Sequence, residues 1–240
     1  HPVAHSFPTR RSSDLLKLLL KEALWLDGAV ERFEQEARTT ACLNHPNIVT
    51  VHAVGALHDR PYVALEYVEG ESLRERLQAG APGLSDALHI ARAMAEGLAE
   101  AHRCGVVHLD LKPENVMLGR DGRLRLVDFG MSRSTGQDEG SRTLAPVPGP
   151  ANRGPTQPAP GGSGPRLQGT PAYMAPEQWH QNETGGYTDI WALGVVMYEL
   201  VLGQRPYEHH SSLRLAFDVC SKEQAPRVTD APVPAALADL

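Results

Sequence analysis

His108-Leu109-Asp110-Leu111-Lys112-Pro113-Glu114-Asn115, followed after a short turn by Asp128-Phe129-Gly130, is the stretch on which the reading of this chain rests. Asp110 offers an oxygen acceptor that can orient a hydroxyl, Asn115 and Asp128 offer oxygen ligands for a divalent cation, and Lys112 offers a cation for phosphate. Phosphoryl transfer asks for these groups, because it needs little covalent chemistry and much positioning and charge neutralisation. Asp-Phe-Gly alone carries little weight, since such a tripeptide also marks a strand ending in a turn. The conjunction carries the reading.

Further motifs lie downstream. Gly169 to Gln178 reads GTPAYMAPEQ, and Tyr187 to Tyr207 reads YTDIWALGVVMYELVLGQRPY. In this order, HLDLKPEN, VDFG, GTPAYMAPEQ and the apolar helix resemble the catalytic loop, metal-binding turn, activation-segment end and central helix of eukaryotic-type protein kinases. The wording GVVHLDLKPENVML with APEQ is most similar to the bacterial serine/threonine branch. The resemblance covers roughly Leu16 to the C-terminus. It implies an α+β, bilobal fold, with a truncated, β-rich N-lobe over 16–67 and a mainly helical C-lobe over 68–240. It also implies an ATP- and Mg²⁺-dependent transferase acting on serine or threonine of proteins.

The same resemblance assigns roles. Asp110 accepts or orients the substrate hydroxyl, Lys112 neutralises the transferred γ-phosphate, and Thr170 braces both. Asn115 and Asp128 hold Mg²⁺, and Asp189 holds the catalytic loop through its backbone amides. Lys17 stands where the family places its phosphate-binding lysine, because the interval from Lys17 to Glu36 is the family's lysine-to-helix interval, whereas Lys21 is a turn closer. Glu36 reads by itself as a solvated surface residue; within the family frame it pairs with Lys17. Glu66, Tyr67 and Val68 are hinge candidates for backbone contacts to adenine, with Leu65 at the back pocket and Met117 at the nucleotide site. A sheet edge is the plainer reading of the hinge, and the two are compatible.

Departures from the pattern are specific. Leu109 replaces the arginine that ordinarily receives an activation-loop phosphate, and leucine cannot pair a phosphate dianion. Leu15 stands where the family has a small alanine touching adenine. No G-x-G-x-x-G occurs upstream of the catalytic loop, where the first glycine is Gly28. His5 to Leu15 resembles the in-frame translation of a DNA-sequencing adapter oligonucleotide, so residues 1–15 read as a non-native leader. Downstream, the stretch after Pro232-Val233-Pro234 stops at Leu240, before the arginine that pairs with the glutamate of the APE motif, so Glu177 is expected to lack its usual partner.

Two other classes of function compete. A pseudokinase or scaffolding module would bind nucleotide weakly; the missing glycine loop favours inactivity, whereas Lys17, Asp110, Asn115 and Asp128 speak against it. A small-molecule kinase akin to aminoglycoside phosphotransferases would share His108-x-Asp110 with Asn115 but not GTPAYMAPEQ or TDIWALG.

A net charge of -6 argues against nucleic acid as the main partner. Cys42, Cys104 and Cys220 follow no metal-like spacing, fit a reducing cytoplasm and read as small buried apolar residues. Ile190 to Leu202 is too short for a membrane span and carries Glu199, so it reads as a core helix. Relatives often carry a membrane anchor and a sensor domain, and no membrane segment is legible in these residues.

Periodicity predicts a strand at Leu16–Leu20, a helix capped by Asp27, strands at Asn47–Val54 and Tyr62–Tyr67, and a short helix opened by Ser72. A long helix capped by Ser85 runs to Arg103 with Leu88, Ala91, Ala95, Leu98 and His102 on one side. Val116–Leu118 and Leu124–Val127 form a hairpin around Arg120-Asp121-Gly122. His108 reads as a packed structural histidine. Residues 136–166, rich in Pro, Gly and Ser, read as a disordered insertion in the activation segment that holds Ser141, Thr143, Thr156 and Ser163 as possible phosphorylation sites.

Overall fold

The computed structural model describes residues 14–19, 29–58, 60–129, 133–134, 170–208 and 211–221. Residues 1–13, Asp27, the insertion at 136–166 and the residues beyond 221 lie outside them, as do the expectations attached to them.

Strand pairing builds the small lobe. Strands β1 (Asp14–Leu18), β2 (Val51–Leu57) and β3 (Arg60–Glu66) form an antiparallel sheet in the order β1-β3-β2. Helix α1 (Ala29–Ala41) covers one face, with Phe33 and Ala37 packing on Val63, and Leu19, Val51 and Leu65 closing around them. All three strands are shifted from expectation, β3 spanning Arg60–Glu66 rather than Tyr62–Tyr67. β1 begins at Asp14 because β3 runs on to Glu66, so Asp14 and Leu15 complete the register opposite Glu66 and Leu65, and it ends at Leu18 opposite Tyr62. The strand therefore crosses the expected leader boundary at residue 15. β2 begins at Val51 rather than Asn47, because the residues before it turn away to the large lobe. There the Asn47 side-chain amide donates to Leu124 O at 3.0 Å, Leu126 N donates to Asn47 O at 2.8 Å, and Val49 N donates to Leu126 O at 2.9 Å. Ile48 is buried in the large-lobe core.

The large lobe opens with β4 (Gly70–Ser72) and α2 (Leu73–Gln78). Ser72 caps α2 as expected: its hydroxyl accepts Glu75 N at 3.2 Å, and Ser72 N donates to Glu75 Oε2 at 2.7 Å. Helix α3 (Leu84–Arg103) starts earlier than expected, with Gly83 rather than Ser85 at its N-cap. Of its expected side, Ala91 and Leu98 are buried, Ala95 and His102 are half-buried and Leu88 is exposed, and the buried face also takes in Ala87, Ile90, Met94 and Ala101. This face packs against α5 (Gly186–Leu202) and β7 (Leu124–Leu126).

Strand β5 (Val106–Val107) pairs with β8 (Arg133–Ser134), and β6 (Val116–Gly119) joins β4 to β7. The β6–β7 hairpin turns at the expected residues. Helices α4 (Pro176–Trp179) and α6 (Ser212–Cys220) complete the described elements. Helix α5 is the apolar pillar, closed by Gly203 at φ 71°. No described helix is long and apolar enough to cross a membrane. The cysteines depart from expectation: Cys42 and Cys104 are exposed and Cys220 is half-buried, because the first two lie just past the ends of their helices rather than on the packed faces.

Candidate active site

The loop between β5 and β6 is suspended from one buried carboxylate. Asp189, on the apolar helix α5, accepts His108 N and Leu109 N at 2.8 Å each and His102 Nε2 at 2.7 Å. Three donors offset the cost of removing that charge from water. The chain then turns sharply, with Leu109 at φ 66°, a left-handed conformation costing a non-glycine residue about 1–2 kcal/mol. The surroundings hold it there: Gln178 Nε2 donates to Leu109 O at 3.0 Å, and the Leu109 side chain is buried. His108 is structural, as expected. Its Nδ1 accepts the Asp110 amide at 3.4 Å, which puts the proton on Nε2 facing Val127 O at 3.2 Å, and the ring lies 4.5 Å from that of Phe129.

Past the turn, four of the expected residues meet. Asp110 Oδ1 accepts Thr170 N at 2.9 Å and Thr170 Oγ1 at 3.0 Å. Its Oδ2 accepts Lys112 Nζ at 2.6 Å, and the same ammonium donates to Thr170 Oγ1 at 2.8 Å. Asn115 Nδ2 donates to Asp110 O at 2.8 Å, which leaves the side-chain oxygen as its acceptor. Val127 N donates to Asn115 O at 3.0 Å, tying the loop to the chain just before Asp128.

Across the cleft, Lys17 on β1 donates to Asp128 Oδ1 at 2.9 Å, joining residues 111 apart in the chain. Asp128 itself sits at φ 61°. Glu36 lies on α1, but its side chain is outside the described residues, and the expected pairing with Lys17 falls there too.

The hinge candidates are placed less decisively. Glu66 ends β3, its amide donates to Thr50 O at 2.8 Å, and its carboxylate accepts Arg125 Nε at 2.7 Å. Val68 is half-buried between β3 and β4, Tyr67 is exposed, and Met117 sits on β6 opposite Ser72 and Arg125. Glu177 accepts Thr188 Oγ1 on its Oε1 at 2.7 Å, and the expectation about its arginine partner lies outside the described residues.

Sequence reasoning missed three residues. Gln178 bridges Leu109 O and Ala175 N, His102 supports Asp189, and Arg74 reaches Glu114, Glu199 and Tyr173. A glutamine inside the APEQ motif was the one legible signal. An arginine in Ser72-Leu73-Arg74-Glu75 looks like ordinary surface.

Among known proteins, the family described as protein kinase domain matches residues 17–234. A probable serine/threonine-protein kinase of Streptomyces coelicolor is 33% identical over 95% of this chain and 32% of its own length. The serine/threonine-protein kinase PknL of Mycobacterium tuberculosis is 34% identical over 78% of this chain and 42% of its own length. PrkC of Bacillus subtilis, also a serine/threonine-protein kinase, is 30% identical over 78% of this chain and 26% of its own length. The chain thus spans less than half the length of each of these relatives. With the match running from the lysine of β1 through the catalytic loop and the α5 pillar, the chain belongs to the protein kinase domain family.

Proposed function

We propose that this chain carries the phosphoryl-transfer unit of a protein serine/threonine kinase, moving the γ-phosphate of ATP to serine or threonine hydroxyls of protein substrates. One observation carries the reading: Asp110 is gripped at both carboxylate oxygens by Thr170 and Lys112, from separate segments of the chain. A carboxylate so fixed in rotation can orient an incoming hydroxyl and accept its proton. Lys112 beside it can neutralise charge on the transferred group, and Lys17 can engage the other phosphates.

The residues fit Mg²⁺ as well. Among the described residues no three His, Cys, Asp or Glu converge as a metal cage. Mg²⁺ prefers one or two protein oxygens completed by phosphate oxygens and water, which Asn115 and Asp128 can supply. The ion contributes charge neutralisation across the phosphates. Adenine is assigned to the hinge backbone of Glu66 and Val68, with Met117 near the nucleotide. A reducing, cytoplasmic setting belongs to the same proposal, supported by three free thiols.

Transfer of label from γ-labelled ATP to a generic protein acceptor, followed by identification of the labelled residue, tests the reading. Label on serine or threonine that disappears in Asp110→Asn supports it. Nucleotide binding without transfer would point instead to a scaffolding module, and label on a small-molecule acceptor alone to a different class of kinase.

A further inference from the structure

A cluster of buried charge beside the assigned groups centres on Arg74 of α2. Its Nε donates to Glu114 Oε1 at 2.8 Å, Nη1 to Glu199 Oε1 at 2.7 Å, and Nη2 to the phenol oxygen of Tyr173. Tyr173 in turn donates to Glu199 Oε2 at 2.6 Å, closing a ring. The Glu199 side chain is 7% exposed and that of Arg74 23%, so this is not a solvated surface pair. Burial opposes the guanidinium charge, but the hydrogen bonds it donates to Glu199 and Glu114 outweigh that and hold its pKa above the ordinary arginine value. The planar fork of arginine suits three acceptors in fixed directions; a lysine ammonium does not.

Two short paths lead from this guanidinium to Asp110. Glu114 is the neighbour of Asn115, whose amide donates to Asp110 O. Tyr173 N donates to Thr170 O at 2.9 Å, and Thr170 grips Asp110 Oδ1 through both its amide and its hydroxyl. Helix α2 is itself a firm platform, capped by Ser72 and anchored by the fully buried Leu73. We propose that Arg74 is a positioning residue for phosphoryl transfer. By drawing Glu114 and Tyr173 to one guanidinium, it sets the spacing between the catalytic loop and the Thr170 segment, and so the orientation of Asp110. The inference rests on the transferase reading above.

The test uses the 240-residue chain and three variants: Arg74→Met, Arg74→Met with Glu199→Gln, and Arg74→Lys. Arg74→Met leaves the buried Glu199 carboxylate without its countercharge and lowers Tm; adding Glu199→Gln removes that charge and recovers Tm. Positioning predicts that kcat of the double variant stays at least about tenfold below wild type with KM for ATP unchanged, since a misplacement of about 1 Å costs up to about 10²-fold. It also predicts that the Thr170 amide exchanges with solvent at least about tenfold faster while α3 and α5 stay protected. Arg74→Lys should recover neither readout. If kcat of the double variant recovers together with Tm, or the Thr170 amide exchanges as in wild type, Arg74 is merely structural and the inference is overturned. If wild type itself transfers no phosphate, the transferase reading fails, and Thr170 exchange alone decides whether Arg74 positions the segment.

Discussion

Asp110 owes its orientation to donors that an amide could not satisfy in the same way. In Asp110→Asn, one side-chain atom becomes an NH₂ facing either the Lys112 ammonium or the Thr170 amide and hydroxyl. Turnover is expected to fall by about 10²–10⁴-fold, the usual contribution of a positioned acid–base group, with little change in KM for ATP; steady-state kinetics checks both. Leu109 supports a second expectation. Its side chain is buried, and its backbone is held by Asp189 and Gln178 rather than by any loop phosphate. Phosphorylation within residues 136–166 should therefore change turnover little. A rise of several orders of magnitude on phosphorylation, measured by rate assays on the modified and unmodified protein, would overturn this expectation.

Helix α2 and the β6–β7 hairpin owe their geometry to local contacts. Gly70 permits the close approach of β4 to β6, because a Cβ there would sit 1.9 Å from Leu118 O. Ser72 then starts α2 with a reciprocal capping box, and Ser72→Ala should cost about 0.5–2 kcal/mol in urea denaturation. In the hairpin, the Arg125 guanidinium and then the Arg123 amide hold the Asp121 carboxyl down to about 2, from an ordinary 3.8. The folded value is the lower one, so this stabilisation is fully present above the ordinary value and is lost as pH falls through about 2. Asp121 is half-exposed, which keeps the effect small. Tm of wild type should exceed that of Asp121→Asn near neutral pH, and the two should converge as pH approaches 2.

Across the two lobes, Arg125 is a polar brace beside the Lys17–Asp128 pair. From β7 it reaches Glu66 Oε1 at the end of β3 and Asp121 Oδ2 at 2.8 Å, while Glu66 Oε2 accepts Thr50 N at 3.3 Å. The Arg125 side chain is 10% exposed and that of Glu66 25%, between the surface and the buried case. Arg125→Met should therefore cost about 1–3 kcal/mol. Hydrogen exchange should show β2 and β3 opening before α3 and α5. Uniform opening of both lobes would mean that the brace does not set their coupling.

The proposed catalytic set was legible because its members sit in short motifs that resemble those of protein kinases: Asp110, Lys112 and Asn115 in HLDLKPEN, Asp128 in VDFG, and Thr170 in GTPAYMAPEQ. The capped α2, the hairpin and the apolar α5 were legible because each follows local periodicity and turn chemistry. What local pattern left open, packing settled. The expected side of α3 held Ala91 and Leu98, and packing against α5 and β7 added Ile90 and Met94 to the buried face and left Leu88 outside. Asn47 to Val49 has strand-forming residues, yet hydrogen bonds to Leu124 and Leu126 drew it to the large lobe and moved β2 forward. Arg74 and Arg125 look like surface residues in a linear reading, and Gln178 stands in a legible motif that does not show its partners. Their acceptors lie from 40 to 125 residues away for Arg74, 59 for Glu66 and 69 for Leu109 O, and only the folded chain brings such groups within hydrogen-bond range.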